Sequence, residues 1–173
     1  MASDSLSNLV ISVVGGTGAL GGGLARRWAR AGLDVVIGSR DPARAEAAAA
    51  ALRAAQPGAR VRGLGNLAAA RAGGLVVLTV PFSHQRPTLA EIQPALAGKI
   101  LVDTTVPLVP PKVARVQLPP EGSAAAIAQQ VAGDGVSVVA AFHNVSADSL
   151  HTDDDLDCDV LVTGNRLEAR ETV

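Results

Sequence analysis

The chain has 173 residues, of which 48% are hydrophobic and 2% aromatic, and its formal net charge is −1 at pH 7. This length and apolar fraction suffice for one sizeable core, whereas the near-neutral charge argues against binding of nucleic acid or of an anionic membrane. No apolar run approaches the roughly 20 residues that span a bilayer, the start MASDSLSN has no leader pattern, and the chain has a single cysteine, so we expect a cytoplasmic protein.

A glycine-rich turn separates the first two predicted elements. The apolar run Leu9–Val14 predicts a strand, and the pattern of Leu20–Ala31 predicts a helix. Between them Gly16, Gly18 and Gly21 match G-x-G-x-x-G, a spacing that binds a pyrophosphate when it joins a strand to a helix. We expect Gly16 to make a tight turn, Gly18 to let the pyrophosphate approach, and Gly21 to let helix pack on strand. The alternative is a merely tight turn, but the strand before and the helix after it favour a dinucleotide site.

The end of the second predicted strand, Val35–Gly38, indicates which dinucleotide fits. Roughly 20 residues after the glycines, an NAD site usually has an acidic residue that binds the ribose hydroxyls. This chain has Ser39 and Arg40 there, and an arginine cannot accept from hydroxyls, whereas its planar fork matches a phosphate. Arg44 would add a second cation, unless it is a solvated surface residue. The pattern therefore predicts NADP.

Asp41 admits two interpretations. It could be the acidic residue of an NAD site, because it follows Arg40 directly. However, an aspartate followed by Pro42 is typical of a helix N-cap with proline at the first helical position. We favour the cap.

Strands and helices alternate along the rest of the chain. Apolar periodicity predicts helices over Pro42–Ala55, Leu67–Arg71, Ser83–Ala97 and Ser123–Val131, the last capped by Gly122 or Ser123. It predicts strands over Arg60–Leu64, Leu75–Val80, Lys99–Thr104, Val136–Phe142 and Val160–Thr163, with a proline-rich loop over Pro107–Pro120. This order predicts an α/β fold, a Rossmann-type doubly wound, mostly parallel sheet with helices on both faces. The ligand should lie beyond the carboxyl ends of the strands, near the first and fourth.

Three later strand ends should converge on the nicotinamide end of such a site. They comprise Thr79–Phe82, Asp103–Pro107 and Phe142–Ala147.

Residues outside these ends have simpler interpretations. We expect Cys158 to be a small core residue, and the acidic run Asp153–Asp155 to be a solvated loop rather than a metal site.

Several segments together resemble a known family. GGTGALG, GSR, LTVPFSH, AFHNVSA and DVLVTG are similar to the NADPH-dependent reductases of the deazaflavin coenzyme F420, small oxidoreductases with a Rossmann domain. A looser similarity links the chain to the cytoplasmic domains of ferric reductases, which pass hydride from NADPH to a flavin. The resemblance implies hydride transfer between NADP(H) and coenzyme F420, as a co-substrate, or a flavin-like acceptor.

The resemblance also implies residue roles. Cofactor-binding residues would be those of the glycine turn, of the second strand end and of the fourth, with one in the last loop: Gly16, Thr17, Gly18, Ala19, Leu20, Ser39, Arg40, Arg44, Thr79, Val80, Pro81, Phe82 and Ala147. Substrate residues would be His143 and Val145, which hold the deazaflavin ring, and His84, whose role is less defined. His143 is the candidate catalytic residue, as a hydrogen-bond donor that stabilises charge on the acceptor. From the residues alone, a structural histidine is the alternative for all three histidines, His151 included.

One departure from the family leaves other functions open. Family members continue for a few dozen residues past the last strand, whereas this chain stops at Val173. We therefore expect residues 1–173 to form a single NADP-binding Rossmann domain without that helical segment, and a homodimer. The alternatives are an NADP-sensing domain without catalysis and an NADPH-dependent flavin or ferric reductase.

Overall fold

The computed structural model describes residues 9–108 and 115–173, whose strands form one sheet. The strands are β1 (Val10–Val14), β2 (Asp34–Ser39), β3 (Val61–Gly65), β4 (Leu75–Leu78), β5 (Ile100–Asp103), β6 (Ser137–Ala140) and β7 (Thr163–Gly164). The helices are α1 (Ala19–Arg30), α2 (Pro42–Ala55), α3 (Asn66–Ala72), α4 (Phe82–Ile92), α5 (Ala124–Ala132), α6 (Ala147–Leu150) and α7 (Leu167–Thr172). None of these helices is both long and apolar enough to cross a membrane.

The strand order confirms the predicted fold class. The sheet runs β3-β2-β1-β4-β5-β6-β7, and its pairs are parallel except for β6 with β7. The chain winds outward from β1 to β3, then returns to place β4 on the other side of β1. This reversal leaves a crevice at the carboxyl ends of β1 and β4, where doubly wound folds bind their ligands.

Each face of the sheet packs against its own set of helices, because successive strand residues point to opposite faces. Val13, Ile37 and Val77 are buried in one cluster with alanines of α1 and α2. Val14 and Leu78 are buried in a second cluster with side chains of α3, α4 and α5. The long alanine tract of α2 thus serves close helix packing as well as helix propensity.

The bounds of the last strand and the burial of Cys158 both differ from the prediction. The structure pairs only Thr163 and Gly164 with β6, whereas Val160–Thr163 is the predicted strand. Leu161 is 72% exposed, and Val162 is the residue of this apolar run that packs against the core. Cys158 is exposed, and the prediction of a core residue is wrong because the segment that carries it runs along the surface.

Two other element ends also differ from the prediction. β6 ends at Ala140 because Phe142 has a φ of 65°, which a strand cannot accommodate. The predicted helix Ser83–Ala97 is α4 followed by a 3₁₀ turn at Gln93–Ala95, since Pro94 has no amide hydrogen with which to continue the α-helical hydrogen bonds. Helices α6 and α7 are too short for periodicity to predict. Residues 109–114 of the predicted proline-rich loop lie outside the described residues.

Candidate functional site

A cavity of about 550 Å³ opens at the carboxyl ends of β1, β2 and β4, and we call it the switch-point cavity. Its lining comes from the glycine turn, the end of β2, the start of α3 and the β4–α4 junction: Gly15, Thr17, Gly18, Ser39, Arg40, Asp41, Arg44, Asn66, Thr79, Val80, Pro81, His84 and Thr88. Most of the predicted cofactor-binding residues are in this lining. Gly15, Asn66 and Thr88 are additions that the sequence did not predict.

The turn after β1 is held by backbone contacts. The amides of Gly15 and Gly16 donate to the carbonyl of Gly38, at 3.1 and 3.0 Å, which ties the turn to β2. The positive φ of the turn, +80°, lies at Gly15, where only glycine is free of strain. Gly16 leaves no room for a side chain, since a Cβ there would lie 2.8 Å from the carbonyl oxygen of Val13.

The other two motif glycines have the environments that their predicted roles require. A Cβ at Gly18 would meet only the carbonyl oxygen of Gly15, at 3.5 Å, so this side of the turn is open to a ligand. A Cβ at Gly21 would lie 2.4 Å from Thr79 Oγ1 and 2.8 Å from Gly16 Cα, so helix and strand pack closely. α1 begins at Ala19 with no acidic residue in its first turn. Its first amides can therefore bind an anion.

The end of β2 resolves the two interpretations of Asp41. Its carboxylate accepts from the amides of Ala43 and Arg44, at 2.9 and 3.4 Å, and Pro42 is the first residue of α2. The N-cap interpretation is confirmed. The cap uses Oδ1 of this carboxylate, and Asp41 lines the cavity together with Ser39, Arg40 and Arg44.

Arg40 and Arg44 place two cations in the switch-point cavity. Both are exposed, and none of the ion pairs in the described ranges involves them. Arg26 and Arg60, in contrast, each pair with an aspartate. Against these two guanidinium groups the lining has one carboxylate, that of Asp41, so the net charge is positive and favours a phosphate group.

The far wall of the cavity comes from α3 and α4. Asn66 is 2% exposed and Thr88 is 6% exposed. His84, one turn before Thr88, hydrogen-bonds to Ser83 Oγ through Nδ1 at 3.1 Å. His84 lines the same cavity as Arg40 and Arg44, whereas His143 and Val145 are not part of its lining.

The loop after β6 carries the predicted acceptor residues. The Phe142 ring packs edge-on against Trp28, with centroids 5.9 Å apart, and this contact holds its left-handed backbone conformation. Such strain persists only where surrounding structure enforces it, and it clusters at functional sites. His143 follows as an exposed side chain, with Val145 and Ala147 half-buried. Ala147 is the first residue of α6.

An arginine clamp, formed by Arg26, Arg27 and Arg30 of α1, fixes the segment after Ala147. Arg27 donates from Nε to the Leu150 carbonyl at 3.1 Å, and from Nη2 to the preceding carbonyl at 3.0 Å. The other two guanidinium groups pair with one carboxylate oxygen of Asp153.

Two features of this clamp concern predicted residues. The hydrogen bond from Arg26 lowers the pKa of the Asp153 carboxyl, so part of the predicted acidic loop is ion-paired on the surface. His151 hydrogen-bonds through Nε2 to the carbonyl of Ala19 at 2.9 Å, which is the structural role considered as its alternative. These contacts therefore join α1 to the segment that carries Ala147.

A buried polar cluster lies below the ends of β4 and β5. Asp103 is fully buried; its Oδ2 accepts from Gln85 Nε2 at 2.8 Å and its Oδ1 from the Thr105 amide at 3.1 Å. Burial raises the pKa of the Asp103 carboxyl, although the hydrogen bonds and the charge of His143 partly oppose the rise. No sequence motif marks this cluster, which joins residues from three elements.

The raised pKa predicts a pH-dependent stability. Between the unfolded and the folded pKa of Asp103, the native state binds more protons, so the free energy of unfolding falls as pH rises through that range. In Asp103→Asn this loss is absent. We expect urea unfolding to show that the free energy of unfolding of the variant, minus that of the parent, increases with pH above the ordinary aspartate pKa and is constant below it. A difference that does not change with pH would contradict the raised pKa.

A larger cavity, about 730 Å³, lies between α5 and β7. Its lining contains none of the predicted site residues, and its one charged side chain is Asp134. A cavity without cations is a poor match for a phosphate-bearing ligand. The switch-point cavity is therefore the candidate site despite its smaller volume.

Comparison with known families gives a match over the region that builds this site. The family model described as NADP oxidoreductase coenzyme F420-dependent matches residues 10–107. Two curated relatives are named F420-dependent NADP reductase. That of Methanothermobacter thermautotrophicus is 41% identical over 168 residues, which cover 93% of this chain and 72% of the relative. That of Methanocaldococcus jannaschii is 39% identical over 171 residues, which cover 94% and 76%.

Solved structures share the fold at lower identity. A putative oxidoreductase from Pseudomonas putida aligns with a TM-score of 0.55 and 24% identity, over 86% of this chain and 45% of that one. A pyrroline carboxylate reductase from Plasmodium falciparum, with NADP bound, aligns with a TM-score of 0.52 and 16% identity, over 79% and 42%. The chain spans less than half of these proteins, and at this identity the similarity concerns the fold alone.

Proposed function

The chain belongs to the NADP oxidoreductase coenzyme F420-dependent family, and on this basis we propose that its switch-point cavity binds NADP(H) for hydride transfer to or from coenzyme F420. The observation that carries the proposal is the pair of unpaired arginines, Arg40 and Arg44, in one cavity with an open glycine turn. A phosphorylated dinucleotide needs both features, because its pyrophosphate and its extra phosphate are separate anions.

The pyrophosphate would be bound by backbone amides at the start of α1. The contributing residues are those of the turn and first helical positions: Gly16, Thr17, Gly18, Ala19 and Leu20. The 2′-phosphate would be bound by Ser39, Arg40 and Arg44, because a hydroxyl and two guanidinium groups suit a dianion. The cavity fits the cofactor: the outer side of Gly18 is open, and neither arginine belongs to an ion pair of the described ranges.

Thr79, Val80, Pro81 and Phe82 would line the ribose and nicotinamide, with Ala147 at the nicotinamide amide. Val80 and Pro81 already line the cavity. Hydride transfer between two flat rings needs orientation and exclusion of water more than a charged nucleophile. Small apolar side chains at this point suit both requirements.

His143 and Val145 would hold the acceptor ring. NADPH supplies the hydride, and reduction of the deazaflavin also consumes a proton. His143 is exposed in the loop after β6, so it can donate a hydrogen bond to the acceptor ring and stabilise the charge that develops there.

The assay follows the oxidised deazaflavin and NADPH together under anaerobic conditions. We expect loss of the visible band of coenzyme F420 in step with NADPH oxidation, and slower reaction with NADH. FMN and a ferric chelate serve as rival acceptors. Tight NADPH binding with no turnover of coenzyme F420 would contradict the proposal and support a cofactor-sensing domain. That alternative is not favoured, because the relatives are named as reductases.

We also propose that residues 1–173 act as a single NADP-binding domain, in the cytoplasm and as a homodimer. The single cysteine agrees with a reducing compartment. Leu161 and Leu167 are 72% and 58% exposed, and exposed apolar side chains are frequent at protein interfaces. Sedimentation equilibrium of the purified protein tests the dimer, and a monomer at assay concentrations would contradict it.

A further inference from the structure

Asn66 is a buried polar side chain whose amide has no partner. The residue is 2% exposed, and its Oδ1 is fully buried without a hydrogen bond. No hydrogen bond of the described residues involves its Nδ2 either. Buried polar groups are nearly always paired. Nδ2, unlike Oδ1, is not fully buried, so a ligand in the cavity that Asn66 lines can accept a hydrogen bond from it.

The position of Asn66 places it beside the phosphate-binding end of the switch-point cavity. It directly follows Gly65, which pairs with Ser39 at the end of β2. A Cβ at Gly38 would lie 3.2 Å from Asn66 Oδ1, so a glycine there keeps space around the amide. The amide therefore lies next to the strand end that leads into Arg40.

His84 and Thr88 of α4 line the same cavity as Asn66. Thr88 is 6% exposed, and the exposed His84 ring offers an aromatic face on which a flat heterocycle could stack. An amide, a hydroxyl and an aromatic ring around one space are complementary to a purine base rather than to a phosphate. An amide both donates and accepts, as the edge of adenine does, whereas a phosphate only accepts.

We propose that Asn66 is a further cofactor-binding residue, whose side-chain amide hydrogen-bonds the adenine of NADP(H) while His84 and Thr88 enclose the base. The inference rests on the proposed function, since it requires the dinucleotide to occupy this cavity. It assigns Asn66 to the base and leaves the 2′-phosphate to Arg40 and Arg44.

Calorimetry on Asn66→Leu tests the assignment, because leucine keeps the volume and removes both polar atoms. We expect the dissociation constants of NADPH and of NADH to rise in parallel, by roughly tenfold, the effect of one to two hydrogen bonds. Reduced nicotinamide mononucleotide, which lacks the adenosine half, should bind as it does to the parent, within about twofold, as followed by NMR line broadening.

Gln56→Leu is the matched control. Gln56 also has a buried amide oxygen without a partner, but it caps the end of α2 and does not line the switch-point cavity. Its substitution should leave all three dissociation constants unchanged. Thermal unfolding of both variants checks the fold, and Asn66→Ala replaces the leucine variant if that variant does not fold.

Each other result overturns the assignment. Loss of NADPH affinity alone would place Asn66 at the 2′-phosphate, and equal loss for the mononucleotide would mean a general distortion of the cavity. Unchanged affinities would show that the amide does not contact the cofactor. If the parent protein binds neither dinucleotide, the proposed function fails instead, and that result is visible before any variant is made.

Discussion

Arg40→Glu should weaken NADPH binding by about a hundredfold while changing NADH binding by less than about threefold, because the lost charge-assisted hydrogen bonds are replaced by repulsion of the 2′-phosphate. Arg40 lines the switch-point cavity and takes part in no ion pair of the described ranges. Arg44→Glu should act in the same direction. Calorimetric titration with both dinucleotides measures the effect, and the salt dependence of NADPH binding should decrease in either variant.

Arg62→Glu is the control for this prediction. Arg62 is also exposed, but it lies near the amino end of β3, away from the strand ends that line the cavity. The substitution changes the net charge equally, so it should leave the preference for NADPH intact. Equal losses for NADPH and NADH in Arg40→Glu would mean that the arginine does not bind the 2′-phosphate, and the prediction of NADP from the end of β2 would fail.

Gly21→Ala and Gly22→Ala should have opposite effects on stability although they are neighbours in α1. A Cβ at Gly21 would lie 2.4 Å from Thr79 Oγ1 and 2.8 Å from Gly16 Cα, so the helix must move away from the turn. We expect Gly21→Ala to lower the free energy of unfolding by about 1–3 kcal/mol, the usual range for overpacking. NADPH affinity should fall by about tenfold, since the displaced turn presents its amides poorly.

At Gly22 the added methyl has ordinary contacts. A Cβ there would lie 3.5 Å from the Gly16 carbonyl oxygen and 3.9 Å from His151 Cε1. Alanine is the better helix former, so Gly22→Ala should raise the free energy of unfolding by about 0.5–1 kcal/mol. Urea unfolding measures the free energy of unfolding of both variants. Two variants of equal stability would show that α1 does not pack on β4 as closely as the structure has it.

The glycine turn and the arginines were predictable because their signals are local. Strand, turn and helix follow one another from Leu9 to Ala31, and backbone sterics alone make glycine necessary in such a turn. The cap at Asp41 is local too, since its carboxylate bonds amides two and three residues ahead. The alternation of elements then predicted the sheet, whose order places the first and fourth strands side by side.

Cys158 shows where local reasoning fails. The apolar run after it looks like a core strand, but Leu161 is 72% exposed and only Thr163 and Gly164 pair with β6. Burial depends on which neighbours a strand finds in the fold, and sequence hydrophobicity carries no information on that. The same limitation applies to the exact end of β6, where the packing of Phe142 against Trp28 holds a left-handed residue.

The sequence by itself determined the fold class, the glycine turn after β1 and the two cations after β2, because each signal comes from residues close together in the chain. Only the tertiary structure showed that Asn66 has an unpaired amide in the cavity wall, that His84 lines the switch-point cavity, and that Asp103 is buried with Gln85. These relations join residues from different elements. Burial and the loss of hydrogen-bond partners arise from packing between elements, which no local spacing encodes.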